Sequence, residues 1–209
     1  MKLHHFFRSG SSHRVRIALN LKGLSVDYVP VDLRIGEHLG EAFHSLNPQG
    51  LVPALETEDG VLIQSPAILE WLEERFPDPA LLPGDVGARA HVRALAAIIG
   101  CDIHPINNKR VLEYLRAKGA DEDAVKEWTG TWITAGFDAY EALIAKDRAR
   151  RGFSFGEQPS LADVYLIPQV ESARRFGVDL SRWPEIMAVD SNCLELAAFR
   201  AAAPLQFAD

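Results

Sequence analysis

Short apolar runs alternate with stretches of helical periodicity over residues 1–80, a pattern typical of strands and helices that share one layered α/β unit. The apolar runs predict strands over residues 3–7, 26–31, 53–57 and 61–64. The last two runs are joined by Glu58-Asp59-Gly60, and Asp-Gly supplies the positive φ angles that a tight hairpin turn requires. Pro30 cannot donate a hydrogen bond within the second strand, so this strand is predicted to lie at a sheet edge or to break there.

Helices are predicted between these strands. Ser12 is expected to cap the first helix, whose broad apolar face ends before Gly23. A short helix is predicted over residues 37–46. Ser65-Pro66 places a serine at the N-cap and a proline at the first position of the next helix. The first part of the chain is therefore predicted to follow the order βαβ-α-ββα.

A proline-rich segment over residues 77–85 (PDPALLPGD) comes next, and no strand pattern is visible beyond it. We interpret it as a linker between an α/β domain of residues 1–80 and an all-helical domain of residues 88–209. Apolar residues at three- and four-residue spacing predict helices over residues 88–118, 123–146, 161–176 and 184–203. Pro105 is expected to break or kink the first of these helices.

The composition restricts the class of protein. Of 209 residues, 47% are hydrophobic, which is ample for a folded core. The formal net charge of -7 repels phosphate backbones and anionic headgroups, so neither a nucleic-acid nor a membrane partner is expected. Cys101 and Cys193 lack the spacing of a disulfide framework or a metal site, and no run of about 18 apolar residues occurs. We therefore expect a cytoplasmic protein without a metal ion.

Val52-Pro53 stands at the start of the third predicted strand. A cis bond there would turn the preceding backbone outward, and Val52 would then offer its N–H and C=O groups to an extended peptide ligand by strand addition. The alternative is an ordinary trans proline at a strand start. Because only about 5–6% of X-Pro bonds in folded proteins are cis, the dipeptide alone favours this alternative.

Two helix beginnings carry groups suited to binding anions. At Gln64-Ser65, unpaired N–H groups and the helix dipole attract a carboxylate, while the serine also serves as a cap. The turn over residues 8–14 (RSGSSHR) offers several hydroxyls, which can stabilise an anion such as a thiolate. On composition alone, however, these serines are caps, and Arg14 and Arg16 are surface charges.

Polar residues surround the predicted break at Pro105. Asp102 and His104 are two residues apart, so they cannot share one helix face as metal ligands would. No further ligand at metal spacing joins them. We therefore expect this segment to line a cleft rather than to bind zinc.

These features together resemble a soluble glutathione transferase over essentially the whole chain. The resemblance rests on the Val-Pro and Gln-Ser dipeptides, the proline-rich linker, and the Ser-Leu-Ala-Asp capping box of residues 160–163. The segments RSGSSHRVRIALNLKG and CDIHPINNKRVLEYL are similar to the zeta class of that family. The resemblance implies a thioredoxin-like first domain, an all-α second domain, glutathione as the cofactor, and a homodimer.

The resemblance also implies how glutathione, an extended tripeptide with a carboxylate at each end, is bound. Val52 would pair with its cysteinyl backbone, and Gln64 and Ser65 would hold its γ-glutamyl carboxylate. Further candidates around the ends of the peptide are His38, Gln49, Asp102, His104 and Asn108. Those of the helical domain would act within the chain or across the dimer.

The first turn is where this chain departs from the family pattern. Zeta-class members commonly have Ser-Ser-Cys where this chain has Ser9-Gly10-Ser11, so a hydroxyl takes the place of the cysteine. The departure is similar to the maleylpyruvate branch of the class, which acts in gentisate breakdown. Ser9 and Ser11 would then stabilise the thiolate of glutathione.

The activity that the resemblance implies is glutathione-dependent cis-trans isomerisation in aromatic catabolism. The substrate would be maleylpyruvate, giving fumarylpyruvate, or maleylacetoacetate, giving fumarylacetoacetate. Two alternatives stay open: a transferase that consumes glutathione by conjugating electrophiles, and a non-catalytic binding module, because fold alone does not determine function.

Arginines are the expected ligands of such a dicarboxylate, because a planar guanidinium binds a carboxylate by paired hydrogen bonds. Arg8, at the first turn, is a candidate for both catalysis and substrate binding. Arg110 and Arg175 are further substrate-binding candidates that should converge on the same ligand. Adjacent helical residues point about 100° apart, so at most one of Arg174 and Arg175 is expected to face the substrate. The resemblance to the maleylpyruvate branch implies Arg175, with Arg174 solvated. The alternative is that all four arginines are surface charges.

Overall fold

A computed structural model describes residues 1–148 and 150–208. They form two compact units. The first contains Met1–Ala80 together with the C-terminal residues from Leu196, and the second contains Leu81–Glu195. The structure therefore differs from the predicted helical domain of residues 88–209, because the last residues of the chain pack with the first unit.

A four-stranded sheet organises the first unit. Its strands are β1 (Lys2–His5), β2 (Asp27–Pro30), β3 (Ala54–Thr57) and β4 (Gly60–Ile63). They lie in the order β2-β1-β3-β4, with β2 parallel to β1 and with β3 antiparallel to both β1 and β4. β1, β2 and β4 therefore run in the same direction, and their carboxyl ends lie at one edge of the sheet.

The structure confirms two predictions about this sheet. β3 and β4 form the predicted hairpin, in which Gly60 has a φ of 106°. Pro30 lies in β2, which is an edge strand, so its missing N–H group interrupts no ladder on the outer side.

Helices complete the first unit and build the second. The first unit contains α1 (Gly10–Leu21), α2 (Glu41–His44) and α3 (Ser65–Arg75). The second contains α4 (Val86–Ala97), α5 (Lys109–Ala117), α6 (Glu122–Lys146), α7 (Leu161–Arg175) and α8 (Pro184–Leu194). The chain then returns to the first unit with α9 (Ala197–Ala202). Within the described part of the chain, no helix is long and apolar enough to cross a membrane.

α1 and α3 pack against each other in parallel. Arg14 Nη1 of α1 lies 3.5 Å from Ser65 Oγ of α3. Lys22 Nζ, just beyond the end of α1, donates to Glu73 Oε2 at 2.8 Å. Both pairs join residues 51 positions apart, so the two helices advance together and begin at the same end.

The C-terminal segment packs on α1. Arg16 Nε donates to Ala202 O at 2.9 Å, and Asn20 Nδ2 donates to Ala198 O at 2.9 Å. The guanidinium carbon of Arg16 also lies 4.7 Å from the ring centre of Phe207. These contacts explain why the last residues belong to the first unit.

The helix predicted over residues 88–118 is interrupted before Pro105. α4 gives way to a π-helical turn, Ile98–Ile103, and an irregular segment follows before α5. A Cβ atom at Gly100 would lie 2.7 Å from Cε1 of Tyr165, so the missing side chain permits the close approach of α7. The interruption thus begins at a tight helix–helix contact and not at the proline alone.

The predicted capping box is present at the start of α7. Asp163 Oδ2 accepts a hydrogen bond from Ser160 N at 2.7 Å, and Asp163 Oδ1 accepts one from Ser154 N at 2.8 Å. Burial raises the pKa of the Asp163 carboxyl, and these hydrogen bonds oppose part of the rise. The box therefore ties the loop before α7 to the helix.

Candidate functional site

The candidate residues of the first unit lie at one edge of the sheet. β1 and β4 end there, and β3 begins there because it runs in the opposite direction. The turn after β1 carries residues 8–11, the segment before β3 carries residues 49–53, and the junction of β4 with α3 carries residues 64–65. The topology therefore brings together three segments that are far apart in the sequence.

Ser9 caps α1, so the prediction that Ser12 does so is wrong. Ser9 Oγ accepts a hydrogen bond from Ser12 N at 3.2 Å, whereas Ser12 is inside the helix and fully buried. Three serines within four positions give the same capping signal in the sequence. Ser9 is the one with extended backbone angles, φ −70° and ψ 120°, which are typical of an N-cap residue. The cap uses only the oxygen of Ser9, so its hydroxyl proton can still be donated.

The first turn of α1 is suited to an anion. It reads Gly-Ser-Ser-His, without an acidic residue that would oppose the positive end of the helix dipole. Ser11 is half-buried in this turn. Arg8 precedes it, is exposed, and has its guanidinium carbon 5.1 Å from the ring centre of Phe7. Hydroxyl groups, helix dipole and a cation therefore occur together at the end of β1.

The Val52 backbone is available for pairing with a peptide. The Val52-Pro53 bond is cis, the alternative that the dipeptide alone does not favour. The side chain of Val52 is buried in a small apolar cluster with Val31, Phe43 and Ala54. Its N–H and C=O groups make no hydrogen bond to the part of the chain that the structure describes. Val52 is thus anchored by its side chain while its backbone presents a donor and an acceptor.

Asn47 shapes the loop before β3, and sequence reasoning missed it. Its side chain is buried, with Nδ2 donating to Leu51 O at 2.6 Å and Oδ1 accepting from Gln49 N at 3.0 Å. The residue types of this loop, Asn-Pro-Gln-Gly over residues 47–50, are typical of tight turns, and that is the signal that identifies it.

His38 lies beside this loop. It is half-buried in a 3₁₀ turn, Glu37–Leu39, which follows β2. A Cβ atom at Gly50 would lie 3.1 Å from the carbonyl oxygen of His38, and Gly50 has a φ of 61°. Both the space and the backbone angle therefore require glycine at this contact.

The junction of β4 and α3 differs from its prediction. α3 begins at Ser65, so Gln64 and not Ser65 occupies the N-cap position, and the Gln64 side chain makes no capping hydrogen bond. The backbone of Gln64 has a φ of 69°, a conformation that costs a non-glycine residue about 1–3 kcal/mol. Gln64 Nε2 instead donates to Gln49 Oε1 at 2.5 Å. The side chain at the N-cap therefore leaves the first N–H groups of α3 uncovered.

Arg14 and Arg16 are buried, so their assignment as surface charges is wrong. Their exposed fractions are 2% and 0%. Arg16 Nη2 donates to Phe7 O at 3.0 Å, next to the first turn. Burial lowers the pKa of Arg16 to about 10, which leaves it charged at neutral pH. Composition cannot reveal such residues, because only the folded packing of α1 takes their side chains out of water.

His13 lies in α1 near both arginines. Burial, then the charge of Arg16, then the charge of Arg14 lower the pKa of His13 to about 3. The ring is therefore neutral at all physiological pH values. The positive charge on this side of α1 belongs to the two arginines.

The second unit carries the candidates around the helix break. Asp102 lies exposed in the π-helical turn, and His104 follows it half-buried. Asn108 caps α5, since its Oδ1 accepts from Arg110 N at 3.2 Å. Arg110 itself is exposed in the first turn of that helix. Among residues 1–148 and 150–208, no cluster of three His, Cys, Asp or Glu side chains is placed to hold a metal ion.

Arg174 and Arg175 end α7 and have different surroundings. Arg174 is exposed, as predicted, and it also forms an ion pair with the buried carboxylate of Asp190. Arg175 is exposed, with Nη2 3.3 Å from Ser172 Oγ. The acid that binds Arg174 lies 16 positions away on α8, which helical periodicity within α7 could not reveal.

Two family models match the chain. Residues 8–75 match the glutathione S-transferase N-terminal domain, and residues 123–208 match the glutathione S-transferase C-terminal domain. The two matches therefore cover parts of both predicted domains.

Individual relatives are similar over almost the full length. The maleylpyruvate isomerase of Ralstonia sp is 66% identical over 205 residues, which are 98% of this chain and 97% of that protein. A holo structure of maleylpyruvate isomerase, described as a bacterial glutathione S-transferase of the zeta class, has a TM-score of 0.98 at 65% identity and covers 100% of this chain and 99% of its own. The maleylacetoacetate isomerase of Anaeromyxobacter dehalogenans with bound glutathione has a TM-score of 0.89 at 45% identity, covering 100% and 96%.

Proposed function

Since this chain belongs to the zeta class of the glutathione S-transferase family, we propose that it is a glutathione-dependent isomerase that converts maleylpyruvate into fumarylpyruvate. The observation that carries the proposal is the 66% identity to a maleylpyruvate isomerase over 98% of the chain. Maleylacetoacetate, giving fumarylacetoacetate, is the second candidate substrate, and a solved relative of that activity supports it.

The first unit fits glutathione. The peptide is extended and has a carboxylate at each end, which matches the free backbone groups of Val52 and the uncovered N-terminus of α3 at Ser65. We assign Gln64, held by Gln49, to the γ-glutamyl end together with Ser65. His38 lies beside the same loop and is assigned to the opposite end of the peptide.

Glutathione held at Val52, Gln64 and Ser65 would supply a thiolate for reversible addition to the cis alkene. Addition would turn the double bond into a single bond, with the electron pair taken up by the conjugated carbonyl, and expulsion of the thiolate after rotation would restore the alkene in the trans form. The chain must therefore favour the ionised sulfur. A thiol with a pKa of about 8.5 is only about 3% ionised at pH 7, and each unit by which the pKa falls requires about 1.4 kcal/mol. Hydroxyl donors from Ser9 and Ser11 and the dipole of α1 supply a stabilisation of this size.

Arginines bind the two carboxylates of the substrate. We assign one carboxylate to Arg8, beside the first turn, and the other to Arg175, because the neighbouring Arg174 already forms an ion pair with Asp190. Arg110 is a third candidate, exposed in α5. A guanidinium suits this role because its planar donors match both oxygens of a carboxylate.

The decisive assay mixes the protein with a catalytic amount of glutathione and maleylpyruvate, and follows both alkene geometry and total thiol. Isomerisation without loss of thiol is the expected result. Steady consumption of thiol with an electrophile, and no isomerisation, would instead identify a conjugating transferase. A protein that binds no glutathione would be a non-catalytic module, and the proposal would be wrong.

The substrate assignment is tested by two substitutions. Arg8→Met and Arg175→Met should each lower kcat/KM for the dicarboxylate by about ten- to a hundredfold, because one charge-assisted contact is lost. Glutathione affinity should stay within about twofold of wild type. Arg75→Met is the matched control, since Arg75 is exposed and pairs with Glu58 at the far end of α3. Wild-type efficiency in either variant would contradict its role.

We also propose that the protein is a cytoplasmic homodimer. Asp102, His104 and Asn108 are assigned to glutathione, acting within the chain or across the dimer. Both cysteines are free thiols, exposed Cys101 and buried Cys193, which suits a reducing compartment. A monomeric mass by light scattering at working concentration would refute the dimer.

We propose that the reaction belongs to gentisate breakdown, because the proposed substrate is maleylpyruvate rather than maleylacetoacetate. A strain that lacks this protein should accumulate maleylpyruvate when it grows on gentisate. Normal growth without accumulation would contradict the assignment.

A further inference from the structure

An aromatic ring lies next to the first arginine assigned to the substrate. The guanidinium carbon of Arg8 is 5.1 Å from the ring centre of Phe7, and that of Arg34 is 5.7 Å from the same centre. Both distances are within the range of about 6 Å over which the negative face of a phenyl ring attracts a cation. A half-buried phenylalanine therefore contacts the guanidinium groups of two exposed arginines.

The backbone that carries this ring is held from two sides. The carbonyl oxygen of Phe7 accepts a hydrogen bond at 3.0 Å from Arg16 Nη2, whose side chain is fully buried. One residue earlier, the carbonyl oxygen of Phe6 accepts from Ser9 N at 3.0 Å, and the Phe6 side chain packs against the apolar cluster of Val52. The position of the Phe7 ring is therefore set by contacts with the folded interior.

Arg34 can share this ring with Arg8 because a carboxylate compensates its charge. Arg34 Nε donates to Asp32 Oδ1 at 2.9 Å, and Arg34 Nη2 donates to Asp32 Oδ2 at 2.7 Å. These side-chain hydrogen bonds raise the pKa of Arg34 and lower that of Asp32, so both groups stay ionised at neutral pH. Leu33, between them, packs against the same apolar cluster as Phe6. The Asp32–Arg34 pair thus completes a fixed surface beside Phe7 without repelling Arg8.

Such a surface matters for an exposed arginine that binds a ligand. A long, flexible side chain loses rotamer entropy when it is ordered by a carboxylate, and this loss opposes binding. A ring that already holds the guanidinium reduces the entropy still to be lost, so the same carboxylate contact gives a higher affinity.

We propose that Phe7 is a positioning residue that strengthens binding of the dicarboxylate substrate by holding the Arg8 guanidinium on its ring. The proposal rests on the proposed function and deepens it. Phe7 acts only through Arg8, so its contribution should disappear when Arg8 is absent. A general role of the ring in folding would not depend on Arg8 in this way.

The first test is steady-state kinetics with saturating glutathione and varied maleylpyruvate. Phe7→Leu removes the aromatic face and should lower kcat/KM about two- to fivefold, mainly through a higher KM, because one exposed cation–π contact is lost. Phe7→Tyr keeps the face and should stay within about 1.5-fold of wild type. Glutathione affinity should be unchanged in both variants.

The matched control is Phe76→Leu. Phe76 is also half-buried and has the guanidinium carbon of Arg75 at 5.6 Å from its ring centre, but it follows α3 at the end opposite the candidate site. The same substitution there removes the same kind of contact and should leave kcat/KM at the wild-type value.

A double-mutant cycle then separates positioning from folding. In an Arg8→Met background, Phe7→Leu should cause no further loss of kcat/KM, because the group through which the ring acts is gone. An equal loss with and without Arg8, a loss in Phe7→Tyr as large as in Phe7→Leu, or an unchanged kcat/KM in Phe7→Leu would overturn the role of Phe7 while leaving the proposed function intact. A wild-type protein that does not isomerise the substrate would overturn the proposed function and this inference with it.

If Phe7→Leu does not fold, 3,4,5-trifluorophenylalanine incorporated at position 7 decides. It keeps the shape of the ring and withdraws the negative charge from its face, so kcat/KM should again fall about two- to fivefold. Undiminished efficiency in that protein would overturn the proposal.

Discussion

Acid should destabilise this protein through two buried histidines of the first unit. Burial is the main cause that lowers the pKa of His13 to about 3 and that of His5 to about 4, with nearby arginines adding to it. In the unfolded chain each ring has a pKa of about 6.5. Below that pH the unfolded state binds more protons than the folded state, so the free energy of unfolding falls as pH falls from 6.5 toward 4.

The size of the effect follows from these values. At pH 5 each histidine is about 97% protonated when unfolded but mostly neutral when folded. Moving from pH 7 to pH 5 therefore costs about 2 kcal/mol for each ring, or about 4 kcal/mol for the pair. Asp163 acts in the opposite direction, because its raised pKa lets the folded protein bind a proton more readily than the unfolded chain. Comparing variants at the same pH cancels that contribution.

Urea denaturation at pH 7 and at pH 5 measures the effect. In His13→Gln the loss between the two pH values should be smaller than in wild type by about 2 kcal/mol. His44→Gln is the control, since His44 is exposed and folding removes little water from it. A wild-type loss below about 1 kcal/mol, or the same pH dependence in His13→Gln as in wild type, would refute the reasoning.

Three further predictions concern stability and turnover. Arg16→Met should lower the free energy of unfolding by about 2–4 kcal/mol in urea, because the carbonyl of Ala202 loses its buried donor; a loss below about 1 kcal/mol would contradict this. Ser9→Ala combined with Ser11→Ala should lower kcat about tenfold at pH 7 and much less at pH 9, where the glutathione thiol ionises without their help. Unchanged activity at pH 7 would show that neither serine takes part in the mechanism. Gln64→Gly should be about 1 kcal/mol more stable than Gln64→Ala, since only glycine relieves the positive φ, and equal stabilities would argue against strain there.

Local chemistry was enough to predict the elements of the first unit. The hairpin follows from Asp59-Gly60 and the edge position of β2 from Pro30, because each depends on the φ angle or missing N–H of one residue. Gly23, with a φ of 65°, follows the end of α1 as predicted. The family resemblance, carried by motifs in both domains, predicted the architecture as a whole.

What the sequence could not supply depends on contacts between distant residues. The burial of Arg14 depends on α3, and that of Arg16 depends on the returning C-terminal segment. The partner of Arg174 lies on another helix. The choice of Ser9 over Ser12 as the cap depends on backbone angles that neighbouring serines do not distinguish. The three arginines are cases in which tertiary packing overrides a local preference, whereas the cap is decided by the local backbone.

The return of the C-terminal segment to α1 has a consequence for how the protein is made. The first 80 residues are synthesised long before Ala202, whose carbonyl group accepts a hydrogen bond from Arg16. At about 5–20 residues per second, the roughly 120 residues in between take about 6–24 s. During that interval α1 lacks its C-terminal cover, and the side chain of Arg16 has no Ala202 carbonyl to bind. The nascent first unit therefore stays incompletely packed until the segment that contains Ala202 has been synthesised.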